Sequence, residues 1–252
     1  MNLNDLAPSV IQAAYDAGQI ILKHYSNPNA SSRQITKKDD GSPVTQADLD
    51  ANQLIVERLT NLAPTIPIVT EESPFPDVKS GEAFWLVDPL DGTKQYIART
   101  GEFTVNIALI NNRRPVLGVI YVPTQDRIFI GYDDSARTGR GLEANEALNG
   151  RIVLPTGLEA VYGRGEKTET NFPLPGPIYA QYYVASSLKF CLIAQGRFDI
   201  YLRSDPTYEW DTAAGQAIVE AAGGSVVTID GQPLSYQKPG WLNPAFMVLG
   251  KK

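Results

Sequence analysis

Asp88 and Asp91 stand three residues apart, on either side of Pro89, in the run Asp88-Pro89-Leu90-Asp91-Gly92-Thr93. The chain must turn between them, so both carboxylates can converge on one point. The apolar run Phe84 to Val87 reads as a buried strand that delivers Asp88 to its carboxyl end. Gly92-Thr93 opens the next segment, where free backbone N–H groups favour an anion. Carboxylates beside an anion site repel a phosphate unless a cation sits between them, which makes a divalent metal plus phosphate the economical reading. The plain alternative is a surface turn whose aspartates bond their own backbone, as Asp-Pro and Asp-Gly pairs often do.

Other acidic residues share that setting. Ile66 to Thr70 reads as a short strand that stops at Glu71-Glu72, so two successive strands finish in acidic residues. Asp211, in Trp210-Asp211-Thr212-Ala213-Ala214, begins a helix. Each has an ordinary alternative: Glu71-Glu72 as a solvated patch, and Asp211 as a helix N-cap. Asp48 stands at capping-box spacing from Thr45, with Asp in place of the usual Glu or Gln. These alternatives do not account for the joint pattern, in which Glu71, Asp88, Asp91 and Asp211 all fall at a strand end or helix start, where clefts are built. Oxygen ligands without nitrogen or sulfur suit magnesium. Two or three such ions can bridge phosphate oxygens, acidify a bound water and neutralise a departing alkoxide.

The scarce residue types narrow the chemistry further. The one cysteine, Cys191, excludes an internal disulfide and a multi-cysteine zinc site, and its apolar helix predicts core packing. The one histidine, His24, lies near the end of the first predicted helix, where a solvated imidazole is expected rather than a catalytic one.

The elements that must position these groups are partly visible. Leu6, Val10, Ala14, Ile21 and Tyr25, with Gly18, share one face of a helix over residues 5 to 25. Residues 26 to 41 read as a polar loop. Pro43 to Asp48 leads into a second helix with Ala51, Ile55, Leu59 and Leu62 at helical spacing, closed by Pro64. Phe103 to Leu109, Val116 to Val122 and Arg127 to Tyr132 give antiparallel meander signals. A first α+β lobe thus spans 1 to 133, and a second lobe 134 to 252 supplies Asp211. Residues 134 to 177 are hard to read, with strands expected at Arg151 to Leu154 and near Glu159 to Tyr162. Strand 177 to 185, helix 186 to 195 stopped by Gly196, strand 198 to 202, helix 211 to 222 ended by Gly223-Gly224, and strand 225 to 229 complete an alternating, helix-flanked sheet.

With 252 residues, 43% hydrophobic and 20% charged, the chain is globular and long enough for one large domain or two packed lobes. Its 22 basic against 28 acidic side chains argue against a nucleic-acid-coating protein. No apolar run approaches the roughly 18 residues a spanning helix needs. No secretory leader is apparent in Asn2 to Tyr25, so a soluble cytoplasmic protein is expected.

Taken in order, Glu71-Glu72-Ser73, Asp88-Pro89-Leu90-Asp91-Gly92-Thr93 and Trp210-Asp211-Thr212-Ala213-Ala214 resemble the paired signatures of the lithium-sensitive inositol monophosphatase superfamily. The resemblance runs over nearly the whole chain and is weakest from 134 to 180. It implies an α+β fold, a layered αβαβα sandwich of the inositol monophosphatase and fructose bisphosphatase type with metals between two packed lobes. It also implies that Glu71, Asp88 and the carbonyl of Leu90 hold one magnesium, that Asp88, Asp91 and Asp211 hold a second, and that a looser third rests on Glu71. Manganese is an expected substitute. Thr93, bonded to Asp48, would help deprotonate the attacking water with Glu71 assisting, and the N–H groups of Gly92 and Thr93 would grip the scissile phosphate.

Within the superfamily, Ser186-Ser187-Leu188-Lys189-Phe190-Cys191-Leu192 and Gly101-Glu102-Phe103-Thr104-Val105-Asn106 are similar to the 3'(2'),5'-bisphosphate nucleotidases. Inositol-specific members carry a glutamate seven residues before the second-signature aspartate; here that position is Ser204. Ser186, Asp211 and Lys189 are expected substrate contacts, Lys189 for the non-scissile phosphate of a doubly phosphorylated substrate. Two departures stand against this branch: Ala185 replaces the glycine that normally precedes Ser-Ser-Leu, and Gly163-Arg164-Gly165 occupies the place of a Ser-Arg-Ser element, leaving Arg164 as its phosphate contact. The implied reaction is hydrolysis of adenosine 3',5'-bisphosphate, a by-product of sulfur assimilation, to AMP and phosphate. Inositol monophosphatase and fructose bisphosphatase activities are the rivals. An aspartyl-phosphate phosphatase wants its aspartates two apart rather than three, and a non-catalytic phosphate-binding module would need a broken ligand set. The partner is a small phosphorylated molecule, not a nucleic-acid polymer or a membrane, and the chain itself is expected as a monomer or homodimer.

Overall fold

Hydrophobic periodicity sets the layers, and the elements fall largely where that periodicity changes. The structure, a computed structural model, describes residues 2–27, 36–37, 43–73, 75–165 and 172–251. Most of the polar stretch 26–41 lies outside the described residues. Two amphipathic helices open the chain, α1 (Leu3–Ser26) and α2 (Gln46–Leu62). Then come β1 (Ile68–Thr70), β2 (Phe84–Asp91), the short helix α3 (Thr93–Ile97), β3 (Thr104–Asn111), β4 (Arg114–Val122) and β5 (Arg127–Tyr132). β6 (Ser135–Arg140) and β7 (Glu143–Ala147) continue the meander. These strands form one seven-stranded sheet in chain order, antiparallel except where β1 runs parallel to β2.

The sheet therefore does not stop near residue 133, where the first lobe was expected to end. β6 and β7 escaped notice because Ser-Ala-Arg-Thr-Gly-Arg and Glu-Ala-Asn-Glu-Ala carry almost no apolar alternation. Their pairing is a backbone matter: β7 is the sheet's edge strand, where polar side chains are suited, and β6 pairs between β5 and β7 while burying only small side chains such as Ala136 and Thr138. The later chain supplies β8 (Leu158–Tyr162), β9 (Ile178–Tyr183), α4 (Leu188–Ala194), β10 (Ile200–Arg203), α5 (Ala213–Ala221), β11 (Ser225–Thr228) and β12 (Phe246–Leu249). They make a five-stranded mixed sheet in the order β9-β8-β10-β12-β11. The strand expected at Arg151 to Leu154 does not form. Ile152 makes one bridge to Lys251, and Ile152 and Leu154 are exposed.

Alternation along β3 separates two cores. Val105, Ile107 and Leu109 pack with α1 and α2 through Val10, Ala14, Ile21, Ile55 and Leu59. Ala108 and Ile110 face the other way, into a core built with α4, α5 and one face of the second sheet, including Tyr201, Phe246 and Val248. The layers thus run helices, sheet, helices, sheet. The last face, Leu158, Ala160, Ile200 and Leu202, meets Val153, Phe172 and Leu174, so among the described residues chain segments rather than a helix close that side.

α5 lies unusually close to the first sheet. A Cβ on Gly118 of β4 would come within 2.3 Å of Ala214 O, and one on Gly131 of β5 within 2.5 Å of Ile218 Cα. Absence of side chains at those two positions lets backbone touch backbone. Among the described residues, no helix is long and apolar enough to cross a membrane.

Candidate active site

The carboxyl end of β2 is bent by a register shift between Asp88 and Asp91, so the strand runs through Asp91 instead of stopping at Asp88. Asp88 Oδ1 accepts from Leu90 N at 3.0 Å, which closes the small turn around Pro89. The surface-turn alternative thus describes one bond correctly but not the setting, for Asp88 is only 1% exposed. From the second lobe, Asp211 arrives in a 3-10 turn, Glu209–Asp211, and Tyr208 N donates to its Oδ2 at 2.8 Å. Asp211 is therefore not the first residue of the following helix. α5 begins at Ala213 with Thr212 before it, and the side chain of Asp211 caps the turn preceding it.

These elements bring one carboxylate oxygen each of Asp88, Asp91 and Asp211 within 4.8 Å of one another. Burial raises the Asp211 carboxyl well above the usual range, and the charges of Asp91 and then Glu71 raise it further. Glu71 extends the pairing of β1, its N–H donating to Val87 O at 3.2 Å, and lies outside the three-carboxylate group while bordering it electrostatically. A divalent cation relieves both the mutual repulsion and the burial penalty, and an all-oxygen donor set is what a hard cation takes. The residues present fit such an ion.

Supporting groups aim Asp91. Its Oδ2 accepts from Ser187 N at 2.5 Å and lies 2.7 Å from Ser187 Oγ, which is itself 2.9 Å from Asp211 O. Asn106 Nδ2 donates to Ser187 Oγ at 2.9 Å. Ser187 and Asn106 were missed as positioning groups, although a polar Asn inside an apolar strand was the available signal.

Asp48 joins this end of the cleft from the first turn of α2. Its Oδ2 accepts from Thr45 N at 2.9 Å and Thr45 Oγ1 at 2.5 Å, and Thr93 Oγ1 lies 3.1 Å from its Oδ1 and 3.2 Å from Leu90 O. The capping box and the contact to Thr93 coexist, one on each oxygen. Burial raises the Asp48 carboxyl, against the lowering effect of its bonds from Thr45 and Thr93. Gly92 adopts φ +91°, and a Cβ there would come within 2.9 Å of Glu102 O, so glycine is required at this turn.

A cleft of about 240 Å³ runs from Asp91, Gly92 and Asp211 toward the second sheet. Its walls carry Lys94, Arg164, Lys189 and Arg203. Lys189 is nearly buried, donates to Ser186 O at 2.9 Å, and sits 4.9 Å from the Tyr201 ring centroid. Burial pushes its ammonium down to about 8, although Asp91, Asp211 and Glu102 pull the other way. Ser186 lies at the rim with φ +55°. Arg164 is half exposed and forks onto Glu102. Lys94, Arg203 and Thr207 were not anticipated; Arg203 ends β10 beside Ser204, where a strand-end polar residue was the signal. Away from the cleft, His24 Nε2 meets Asp50 Oδ2 at 2.7 Å between α1 and α2, and Cys191 is buried.

The sequence profile described as the inositol monophosphatase family matches residues 2–249. The 3'(2'),5'-bisphosphate nucleotidase CysQ of Escherichia coli O157:H7 is 37% identical over 95% of this chain and 97% of its own. The same-named protein of Buchnera aphidicola is 39% identical over 90% of this chain and 86% of its own. Among solved structures, CysQ from Bacteroides thetaiotaomicron, a bacterial member of the inositol monophosphatase family, superposes with a TM-score of 0.82 at 35% identity, covering both chains fully. An inositol monophosphatase from Anabaena (Nostoc) gives 0.78 at 25% identity, covering all of this chain and 92% of the other.

Proposed function

Because this chain belongs to the inositol monophosphatase family, a family of metal-dependent phosphatases, we propose that it is a magnesium-dependent, lithium-sensitive phosphomonoesterase that hydrolyses adenosine 3',5'-bisphosphate to AMP and phosphate. The observation that carries this reading is the three-carboxylate group at one end of a cleft whose other walls bear four cationic side chains. A substrate with two phosphates matches that division of charge, whereas the hydroxyl-rich ring of an inositol phosphate would bring no anion to the buried ammonium of Lys189.

In this reading Glu71, Asp88, Asp91, Asp211 and the carbonyl of Leu90 hold the two to three ions. Bound magnesium supplies an acidified water and neutralises charge on the transferring phosphoryl group. Thr93 donates its hydroxyl proton to Asp48 Oδ1, leaving its lone pairs to accept a proton from the attacking water. The raised proton affinity of buried Asp48 suits it to that task. Gly92 and Thr93 N–H groups hold the scissile phosphate, while Ser186, Lys189, Arg164 and Arg203 receive the second one.

One substrate panel tests this. At matched magnesium, the 3',5'-bisphosphate should give the highest kcat/KM against inositol monophosphate and fructose 1,6-bisphosphate. A preference for the inositol ester would reject the substrate while leaving the proton relay standing.

A further inference from the structure

Glu102 has no role in the reaction outlined above, yet its one carboxylate joins both walls of the cleft. It leaves the first lobe in the loop between α3 and β3, where its backbone is fixed. Gly101 O accepts from Thr124 Oγ1 at 2.7 Å, and Glu102 O lies directly against Gly92. The side chain then crosses to the second lobe. Arg164 Nη2 donates to Glu102 Oε1 at 2.6 Å and Arg164 Nε to Oε2 at 2.8 Å, and Ala185 N also donates to Oε2 at 3.0 Å. The Arg164 guanidinium holds the Glu102 carboxyl below its ordinary range, so it is an anion at neutral pH.

Each of these bonds fixes a group that faces the cleft. A guanidinium has more N–H donors than one carboxylate can take, so the fork occupies one edge of Arg164 and leaves the other for a second anion. The Ala185 bond precedes Ser186, whose φ of +55° is a conformation that a non-glycine residue keeps only when its surroundings enforce it. Ser186 O in turn receives Lys189 Nζ. From the opposite lobe, Glu102 thus anchors Arg164 directly and Ser186 through its neighbour Ala185, and Lys189 is linked to it through Ser186 O.

We propose that Glu102 is a positioning residue for the non-scissile phosphate, making the enzyme selective for doubly phosphorylated substrates without touching them. This rests on the bisphosphate reading above. A carboxylate in this place has one other possible role, that of a stand-in which the incoming phosphate displaces, and the two roles give opposite signs on removal.

The test is steady-state kinetics of the magnesium-loaded protein with adenosine 3',5'-bisphosphate and adenosine 3'-monophosphate, which share a scissile group and differ in the second phosphate. Glu102→Gln should raise KM for the bisphosphate about tenfold, the worth of one charge-assisted contact, with kcat and the monophosphate kinetics nearly unchanged. Added to Arg164→Gln, it should change little more, because both act through one guanidinium. If Glu102→Gln does not fold, Glu102→Asp, which keeps the charge but shortens the reach, should give the same KM-only effect. An unchanged or lower KM, or an equal loss on both substrates with a lower Tm, would overturn the role of Glu102. A wild-type enzyme that fails to prefer the bisphosphate would instead overturn the substrate reading on which it stands.

Discussion

Asp91 works through neighbours that leave its carboxylate little freedom, since Ser187 bonds it through both N and Oγ. Asp91→Asn keeps the shape but loses a charge where cations must gather, so kcat should fall by at least about a hundredfold while circular dichroism and Tm stay near wild type. Retained activity would remove Asp91 from the ligand set. Thr93→Ala should lower kcat roughly a hundredfold or more with little change in KM, as loss of a proton relay does. Asp48→Asn should match it in rate but also lose about 1 kcal/mol of stability, because the same carboxylate caps α2. Lys189 presents the reverse balance. Its ammonium is buried at a cost visible in its lowered pKa, so Lys189→Met should hold or raise Tm while raising KM for a doubly charged substrate. The sign follows from linkage: a lysine whose folded pKa is depressed below its unfolded value weighs against the fold at neutral pH and stops doing so as pH rises.

At the scale of elements, α5 against β4 and β5 is the most constrained contact. Gly118→Ala would drive a methyl into Ala214 O, so a loss of about 1–3 kcal/mol is expected, together with reduced metal affinity because Asp211 sits just before the helix. Thermal melting with and without magnesium would check both. Which elements were legible follows from what positioned them. α1, α2 and the first three meander strands announce themselves by periodic apolar residues, since burial on one face requires that spacing. β6 and β7 carry no such code: β7 is the edge strand, and β6, paired between β5 and β7, buries only small side chains such as Ala136 and Thr138. The 3-10 turn ending at Asp211 was read as the start of a helix because Asp followed by Thr-Ala-Ala satisfies both descriptions locally, and only the bond from Tyr208 N decides between them. The acidic residues of the site were legible because strand ends and helix starts can be found one at a time. The roles of Asn106 and Glu102 were not, because each acts on a residue far away in the chain, Ser187 for the one and Arg164 and Ala185 for the other.

For the whole molecule, the three converging carboxylates come from distant parts of the chain: Asp88 and Asp91 from the first sheet, and Asp211 from the turn before α5. Metal binding should therefore stabilise the fold, by about 2.7 kcal/mol at a hundred times the dissociation constant, read as a Tm that climbs with magnesium concentration. Asp211→Asn should flatten that dependence, and a variant that keeps the full increment would show that the lobes are not bridged by the ion. Where α5 rides on Gly118 and Gly131 there is no pliable matter to take up slippage, so any slide of the helix is passed undiminished to Asp211. The far wall of the cleft is held by side-chain bonds, such as the fork of Arg164 onto Glu102, rather than by backbone against backbone. A substitution in that wall can therefore reshape what the cleft admits without moving Asp211, whereas one at Gly118 or Gly131 cannot.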